Sequence, residues 1–184
     1  MDESIFHILN SCSHLSVSMY LPVRHNEIAK VLYYELLSEV GYPQEDRKTP
    51  ESTFKTENIE IWWDKKISVQ PPVEHNRPDI VLWDLEKKKC KIIDVFVPMD
   101  FNVTREEKEK CDKYFILASR LQRLYPQFTY EIIPIGSTGF VSKTLHDHLD
   151  NCGVQSERIS LITKVLQRKA LHGSMKIVKT AMKM

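Results

Sequence analysis

The stretch 77–98, RPDIVLWDLEKKKCKIIDVFVP, decides how this chain is read. Two runs rich in Val, Ile and Trp flank the turn-forming LEKKK, which is the pattern of a β-hairpin. Each run also carries an acid, Asp79 at the head of the first and Asp94 inside the second. Asp is a poor strand residue and is costly to bury without a partner. Antiparallel pairing around a turn at residues 86–88 sets Asp79 roughly opposite Val95, so the two carboxylates approach each other on adjacent strands. Carboxylates that close repel. A hard divalent cation, Mg²⁺ or Mn²⁺, relieves the conflict because both prefer oxygen ligands. Pairing of Asp94 with a lysine is the alternative.

Outward from the hairpin, the periodicity predicts an α/β fold. A helix is expected from Pro22 to Val40, with Gly41 as its stop and Ile28, Val31, Leu32, Leu36 and Val40 as its buried stripe. Residues 42–57 are polar, hold two prolines and read as a loop. NIEIWW, 58–63, alternates as a strand. After the hairpin, Pro98 ends the second strand and a long helix spans 104–125, opened by a capping box of Thr104 and Glu107. Its apolar face is Cys111, Tyr114, Ala118, Leu121 and Tyr125. FTYEIIPI, 128–135, is a further strand, turned by GSTG, and helices over 141–150 and 156–183 follow, the last expected to break at Gly173. The late strand–helix–strand crossover implies a parallel pair in a mixed sheet. Three parts are expected: a lead-in over 1–20, a core over 21–150 and a helical extension over 151–184.

The 184 residues suffice for one domain with a real core. Five glycines and the absence of G-x-G-x-x-G or a Walker sequence argue against a glycine-rich phosphate loop. No apolar run is long enough to span a bilayer, so no membrane partner is expected. Four scattered cysteines fit a reduced intracellular protein better than a disulfide framework. The net charge of +1 hides an asymmetry. From Ser156 onward, Arg158, Lys164, Arg168, Lys169, Lys176, Lys179 and Lys183 stand against Glu157, so this tail is +6 and the remainder −5. Lys164, Arg168, His172 and Lys176 recur every four residues as one stripe. The stripe suits a DNA backbone, and a membrane surface or a partner helix competes with that reading.

On the helix after the hairpin, Lys110 lies within roughly 40° of Tyr114, at about 100° per residue, and so belongs to the buried face. Lys113 lies roughly 100° away, at its edge. A lysine on a core-facing stripe needs an acid or a phosphate. The RPD triplet at 77–79, the IDV triplet at 93–95 and the predicted α-β-β-β-α-β order resemble the PD-(D/E)XK restriction-endonuclease-like core. The lysine usual two residues after the second acid is Phe96 here. In this respect the chain is similar to the restriction-like endonuclease domains at the C-terminal end of site-specific, non-long-terminal-repeat (LINE-type) retrotransposon polyproteins. Those domains displace the lysine to the next helix in a K-x-x-K-Y context, matched by KCDKY at 110–114, and carry an R-H-N motif upstream, matched at 24–26. The likeness runs on through EIIPIGSTGFVSK and LQRKALHGSMKIVKTAM, from about residue 6 to the end.

The resemblance implies a metal-dependent endonuclease that nicks DNA for target-primed integration, with a catalytically inactive nucleic-acid-binding remnant as the alternative. It assigns Asp79 and Asp94, with the Val95 carbonyl, to Mg²⁺ or Mn²⁺, and Glu27 as a further candidate ligand. Lys110 or Lys113 takes the catalytic lysine's role. Tyr114 supports the helix, and Arg24, His25, Asn26 and Arg77 contact DNA or brace the site, although a solvated Arg24 and His25 is the plain alternative. Double-stranded DNA, element RNA and the rest of a polyprotein are the implied partners, and a nuclear location follows from the DNA target. His7 and Cys12, four residues apart, look like the second half of a zinc knuckle. Zinc needs four ligands in a closed site, so bound zinc is not expected here. His146 and His148 read as surface, and Trp62, Trp63 and Trp83 as packing rather than base-stacking residues.

Overall fold

The computed structural model describes residues 4–10, 12, 15–42 and 50–183. It is an α/β domain built on a five-stranded mixed sheet in the order β1 (Thr53–Lys55), β2 (Ile59–Trp63), β3 (Ile80–Asp84), β4 (Lys89–Phe96) and β5 (Gln127–Pro134). Neighbouring strands are antiparallel except β4 and β5, the parallel pair that a crossover helix demands. The helices are α1 (Ile5–Asn10), α2 (Asn26–Glu39), α3 (Val103–Leu124), α4 (Leu145–Cys152) and the long α5 (Ser156–Ala181). A π-helical segment, Ser16–His25, runs directly into α2.

Two apolar layers hold the sheet. On one face, Ile61, Ile80, Ile93, Val95 and Ile133 pack against α2, α4 and α5. On the other, Val81, Trp83, Cys90 and Ile92 pack against Tyr114, Leu117 and Leu121 of α3, closed over by Ile67 and Val69. Because side chains alternate along a strand, Asp79 shares parity with Val81 and Trp83, and Asp94 with Cys90 and Ile92. Both acids therefore belong to the α3 face. Ile80 pairs with Ile93, so one further step of that register brings Asp79 beside Asp94, one residue from the expected Val95.

Several elements differ from the sequence expectation. The expected loop 42–57 holds β1 instead of being structureless to its end: Thr53 lies opposite Trp62 and Lys55 opposite Glu60. Its residues 43–49 lie outside the described residues. The helix expected to start at Pro22 is entered earlier, with Pro22 inside the π-helical segment. Its buried side adds Ala29, Tyr33, Glu35 and Leu37, while Val31 and Val40 are half-buried. Glu35 is buried because Arg158 of α5 grips its carboxylate with both Nε and Nη2. The Thr104–Glu107 capping box does not form; α3 begins at Val103 with Asn102 as its cap and no side-chain bond. On α3, Cys111 is exposed and Leu117 is buried. α4 starts at Leu145, not 141, because Gly139, at φ +90°, and the Ile135–Val141 bridge prolong the turn.

α5 does not break at Gly173. Here the glycine serves a close approach: an added Cβ would lie 2.7 Å from Arg24 Cβ and 2.9 Å from its Cα. Arg24 is buried at this crossing, its Nη1 donating to Ser174 Oγ at 3.1 Å, and Ser174 in turn donates to the Ser137 carbonyl at 2.5 Å. Burial lowers the Arg24 guanidinium to about 10 against the pull of Tyr20. Arg24 is therefore not the solvated residue of the plain alternative; it braces the π-helical segment against α5. No helix among the described residues is long and apolar enough to cross a membrane.

Gly173→Ala should destabilise the fold by ~1–3 kcal/mol through overpacking against Arg24, despite alanine's better helix propensity. Urea denaturation checks this; a midpoint equal to or above that of the parent chain contradicts the close-approach account.

Candidate active site

Asp94 sits mid-sheet at 2% exposure, so its charge must be answered locally. Lys110 Nζ reaches Asp94 Oδ2 at 2.5 Å, and the Tyr114 hydroxyl lies 3.2 Å from Asp94 Oδ1 and 3.1 Å from the Arg77 carbonyl. Lys110 and Tyr114 are four residues apart on α3, one turn along the same face, which is why one helix supplies both. Burial, and then the neighbouring Asp79 charge, raise the Asp94 carboxyl above its usual range, while Lys110 and Lys113 oppose them. Burial and the same two carboxylates push the Tyr114 hydroxyl upward, so it stays a neutral donor.

Asp79 lies just before β3. Its Oδ2 accepts the Val95 N–H at 2.7 Å and stands 3.2 Å from His25 Nε2. The same His25 Nε2 donates to the Val95 carbonyl at 3.0 Å, and Nδ1 faces Asn26 Oδ1 at 3.0 Å. Burial works against a charge on this ring, yet the Asp79 carboxylate and the acceptors on both nitrogens raise His25 to about 9. Each acid thus has its own cation, Lys110 for Asp94 and imidazolium His25 for Asp79.

The structure brings together Asp79, Asp94, the Val95 backbone, Lys110, Tyr114, His25 and Asn26. Lys113 is exposed, its Nζ 4.9 Å from the Tyr114 ring centroid. Arg77 forms a two-point pair with Asp64, at 2.7 and 2.8 Å, and meets the site through its carbonyl. Glu27 is held by Lys30 at 2.8 Å and Lys169 at 3.0 Å, and these bonds, Lys30 first, keep its carboxyl low. It is tied to α5, and no bond links it to Asp79 or Asp94. Lys164, Arg168, His172 and Lys176 all lie exposed on α5. Cys12 is buried with Leu15 and Ile177, whereas His7 is exposed.

Sequence reasoning missed Glu106. It lines a cleft of about 280 Å³ together with Tyr20, Leu21, Arg24, His25, Val95 and Lys110. Burial leads in raising its carboxyl. Its signal was the four-residue step to Lys110 along α3. His148, read as surface, is instead half-buried between Glu131 Oε2 at 3.0 Å and Glu107 Oε1 at 3.4 Å, and the Glu131 bond raises its pKa. The tryptophans do pack: Trp63 on Tyr33, and Trp62 on Trp83, which also meets Tyr125.

Among the described residues no three His, Cys, Asp or Glu side chains form a closed metal cluster. Asp79, Asp94 and the Val95 carbonyl offer an all-oxygen set from two side chains and one backbone group. That set suits Mg²⁺ or Mn²⁺, which keep waters and take the rest of their shell from a substrate phosphate. No protein-family model matches the sequence, and no curated protein matches it.

Two outcomes are expected. In NMR titration the His25 ring should hold its proton to about pH 9 and lose that shift in Asp79→Asn. The raised value makes the His25–Asp79 pair stabilising below pH 6.5, with the contribution fading as pH rises to about 9. A midpoint near 6.5 contradicts the pairing. Lys110→Met should cost ~3 kcal/mol at neutral pH by stranding a buried charge, and less at a lower pH, because protonation of the raised Asp94 carboxyl removes that charge. An equal loss at both pH values contradicts it.

Proposed function

We propose that this chain is a divalent-metal-dependent endodeoxyribonuclease domain of the restriction-like PD-(D/E)XK kind, of the sort found in retrotransposon polyproteins. In this reading it nicks target DNA for target-primed integration. One observation supports it above the others: Asp79 from the lead into β3, Asp94 from β4 and Lys110 from α3 meet around the Val95 backbone, and Val95, His25 and Lys110 line one cleft. The likeness of RHN, RPD, IDV and KCDKY to that branch adds to it.

Asp79, Asp94 and the Val95 carbonyl are the groups that would hold Mg²⁺ or Mn²⁺. The ion supplies Lewis acidity toward a phosphoryl oxygen and a water acidified for attack. Lys110 gives a hydrogen-bond donor and a positive charge where anionic charge develops on phosphorus. Tyr114 fixes the Asp94 carboxylate through Oδ1, leaving Oδ2 to the lysine. His25 supplies an Nε2 donor beside Asp79 and Val95, and Asn26 orients the ring. Arg24 holds the π-helical segment that carries His25 and does not itself need to touch DNA. Lys164, Arg168, His172 and Lys176 are the proposed contacts to the DNA backbone. Element RNA, the rest of a polyprotein and a nuclear location belong to the same proposal.

A second reading, a nucleic-acid-binding remnant without catalysis, is favoured by one observation. The two acids and the two cations already balance each other, so the cluster is a complete ion-pair network without a metal.

Incubated with supercoiled plasmid and Mn²⁺, the chain should nick, and Asp94→Ala should abolish nicking. Lys110→Ala should slow it roughly 10²–10³-fold, the scale of losing one transition-state donor. Lys113→Ala should change it little. Nicking that survives in Asp94→Ala contradicts the nuclease reading.

A further inference from the structure

We propose that the outer flank of α3, where the segment 65–71 runs beside it, is a docking groove for an acidic peptide segment of a partner protein, anchored by apolar side chains. The proposal goes beyond the nuclease reading and does not rest on it.

Two cavities lie in succession along these two elements. One, of about 450 Å³, is walled by residues 65–69 and by Leu121, Leu124 and Tyr125 at the end of α3. The next, of about 350 Å³, is walled by Gln70 and Pro71 and by Phe115, Ile116, Arg120 and Arg123. As the segment advances from 65 to 71, it meets the helix in descending order from 125 to 115, so the cavities follow one line. That line is ~15 Å long at about 1.5 Å per helical residue, the reach of roughly five extended peptide residues.

Tyr114, Leu117 and Leu121 form the face of α3 turned to the sheet. Phe115, Ile116 and Leu124 lie outside that face, at 68%, 58% and 66% exposure. Steps of three and four residues set Arg120 and Arg123 on the same side as Ile116. The helix therefore carries a second stripe, apolar and cationic, where a solvated face is expected.

The groove also holds two buried donors without an acceptor. Trp83 is 6% exposed and lines the larger cavity, and its Nε1 has no partner. Arg120 lines the smaller one, and its Nη1 is buried and equally unpartnered. A buried donor left unbonded is costly, and a carbonyl or carboxylate entering the groove removes that cost. Among the described residues, Lys66, Arg120 and Arg123 make no ion pair. Glu60 is the one acid among the described residues lining either cavity, and its carboxylate already accepts Trp62 Nε1 at 2.6 Å and faces Lys55 at 3.6 Å.

The occupant follows from these properties. Guanidinium groups pair with carboxylates, apolar side chains fill the cavities and backbone carbonyls answer the donors, and an acidic peptide brings all three. Nucleic acid fits less well. Leu85, Ile116 and Leu124 are aliphatic and gain nothing against a sugar–phosphate backbone. The Trp62 ring already has Lys65 Nζ 4.2 Å from its centroid and meets Trp83 edge to face.

Random peptides displayed on phage and panned on the immobilised full chain test the groove. The most enriched peptide is then labelled and its binding measured by fluorescence anisotropy. Enriched peptides should combine Asp or Glu with Leu, Ile or Phe. Arg123→Glu and Ile116→Ser, both exposed, should each weaken binding roughly tenfold, the scale of a hot-spot residue, with melting temperatures equal to the parent's. Lys143→Glu makes the same charge change at an exposed site beside α4, on the other face of the sheet, and should leave binding unchanged. In the parent chain, the peptide should shift the Trp83 indole N–H resonance. No enrichment, enrichment of peptides without acids, an unmoved Trp83 resonance, or equal binding by the parent and both groove variants overturns the proposal. So does displacement of the peptide by duplex DNA or oligothymidine in EDTA, which gives the groove to nucleic acid. A dimer in light scattering that Ile116→Ser dissociates gives it to a second copy of the chain and overturns the proposal as well.

Discussion

A carboxylate in the middle of a β-strand has few ways to remain in a folded protein, and Asp94 adopts the most demanding of them. It is buried on the α3 face of the sheet, and its charge is met by a lysine from that helix. The rest follows from this contact. α3 must lie so that residues 110 and 114 face the strand, which sets the rotation of the helix about its axis. Tyr130 reinforces the setting by donating to the Lys110 carbonyl at 3.3 Å. The apolar contacts of Tyr114, Leu117 and Leu121 continue the same face toward the helix C-terminus. One helix surface thus passes from charge to core within three turns.

The second acid is managed from the opposite side of the sheet. His25 comes from the junction of the π-helical segment with α2, and that junction is held by Arg24 against α5. The chain therefore spends a long helix, a glycine crossing and a buried arginine on placing one imidazole. Both nitrogens of that ring have acceptors, so the cationic form is the one the site is built for. Two anions closed between two cations make an arrangement that is neutral and yet strained in its parts, since Asp94 remains raised despite Lys110.

Much of this was legible in the sequence, for identifiable reasons. The acid pair announced itself because Asp is conspicuous in runs of Val and Ile, and hairpin geometry then placed Asp79 within one residue of its partner position. Lys110 was legible because helical spacing fixes its face relative to Tyr114. What stayed hidden depends on long-range packing. Nothing local in RHN indicates that Arg24 will be buried beneath α5, or that His25 will reach across to Asp79. Gly173 looked like a helix break because the glycine's purpose, room for Arg24, lies 149 positions away in the chain. β1 was hidden by the polar, proline-containing segment before it, as an edge strand of three residues carries little periodic signal. His148 was misread because its two glutamates come from α3 and β5, and only the tertiary fold brings them together.

We propose that Asp79 and Asp94 together form a divalent-cation site whose charge His25 and Lys110 balance in the ion's place. A crystal of the chain soaked in Mn²⁺ and measured at the manganese absorption edge tests it most directly. The account predicts one anomalous peak coordinated by both carboxylates and the Val95 carbonyl, with His25 Nε2 turned away from Asp79. No peak at millimolar Mn²⁺, with the His25–Asp79 and Lys110–Asp94 contacts intact, would contradict it and leave the cluster as an internal ion-pair network.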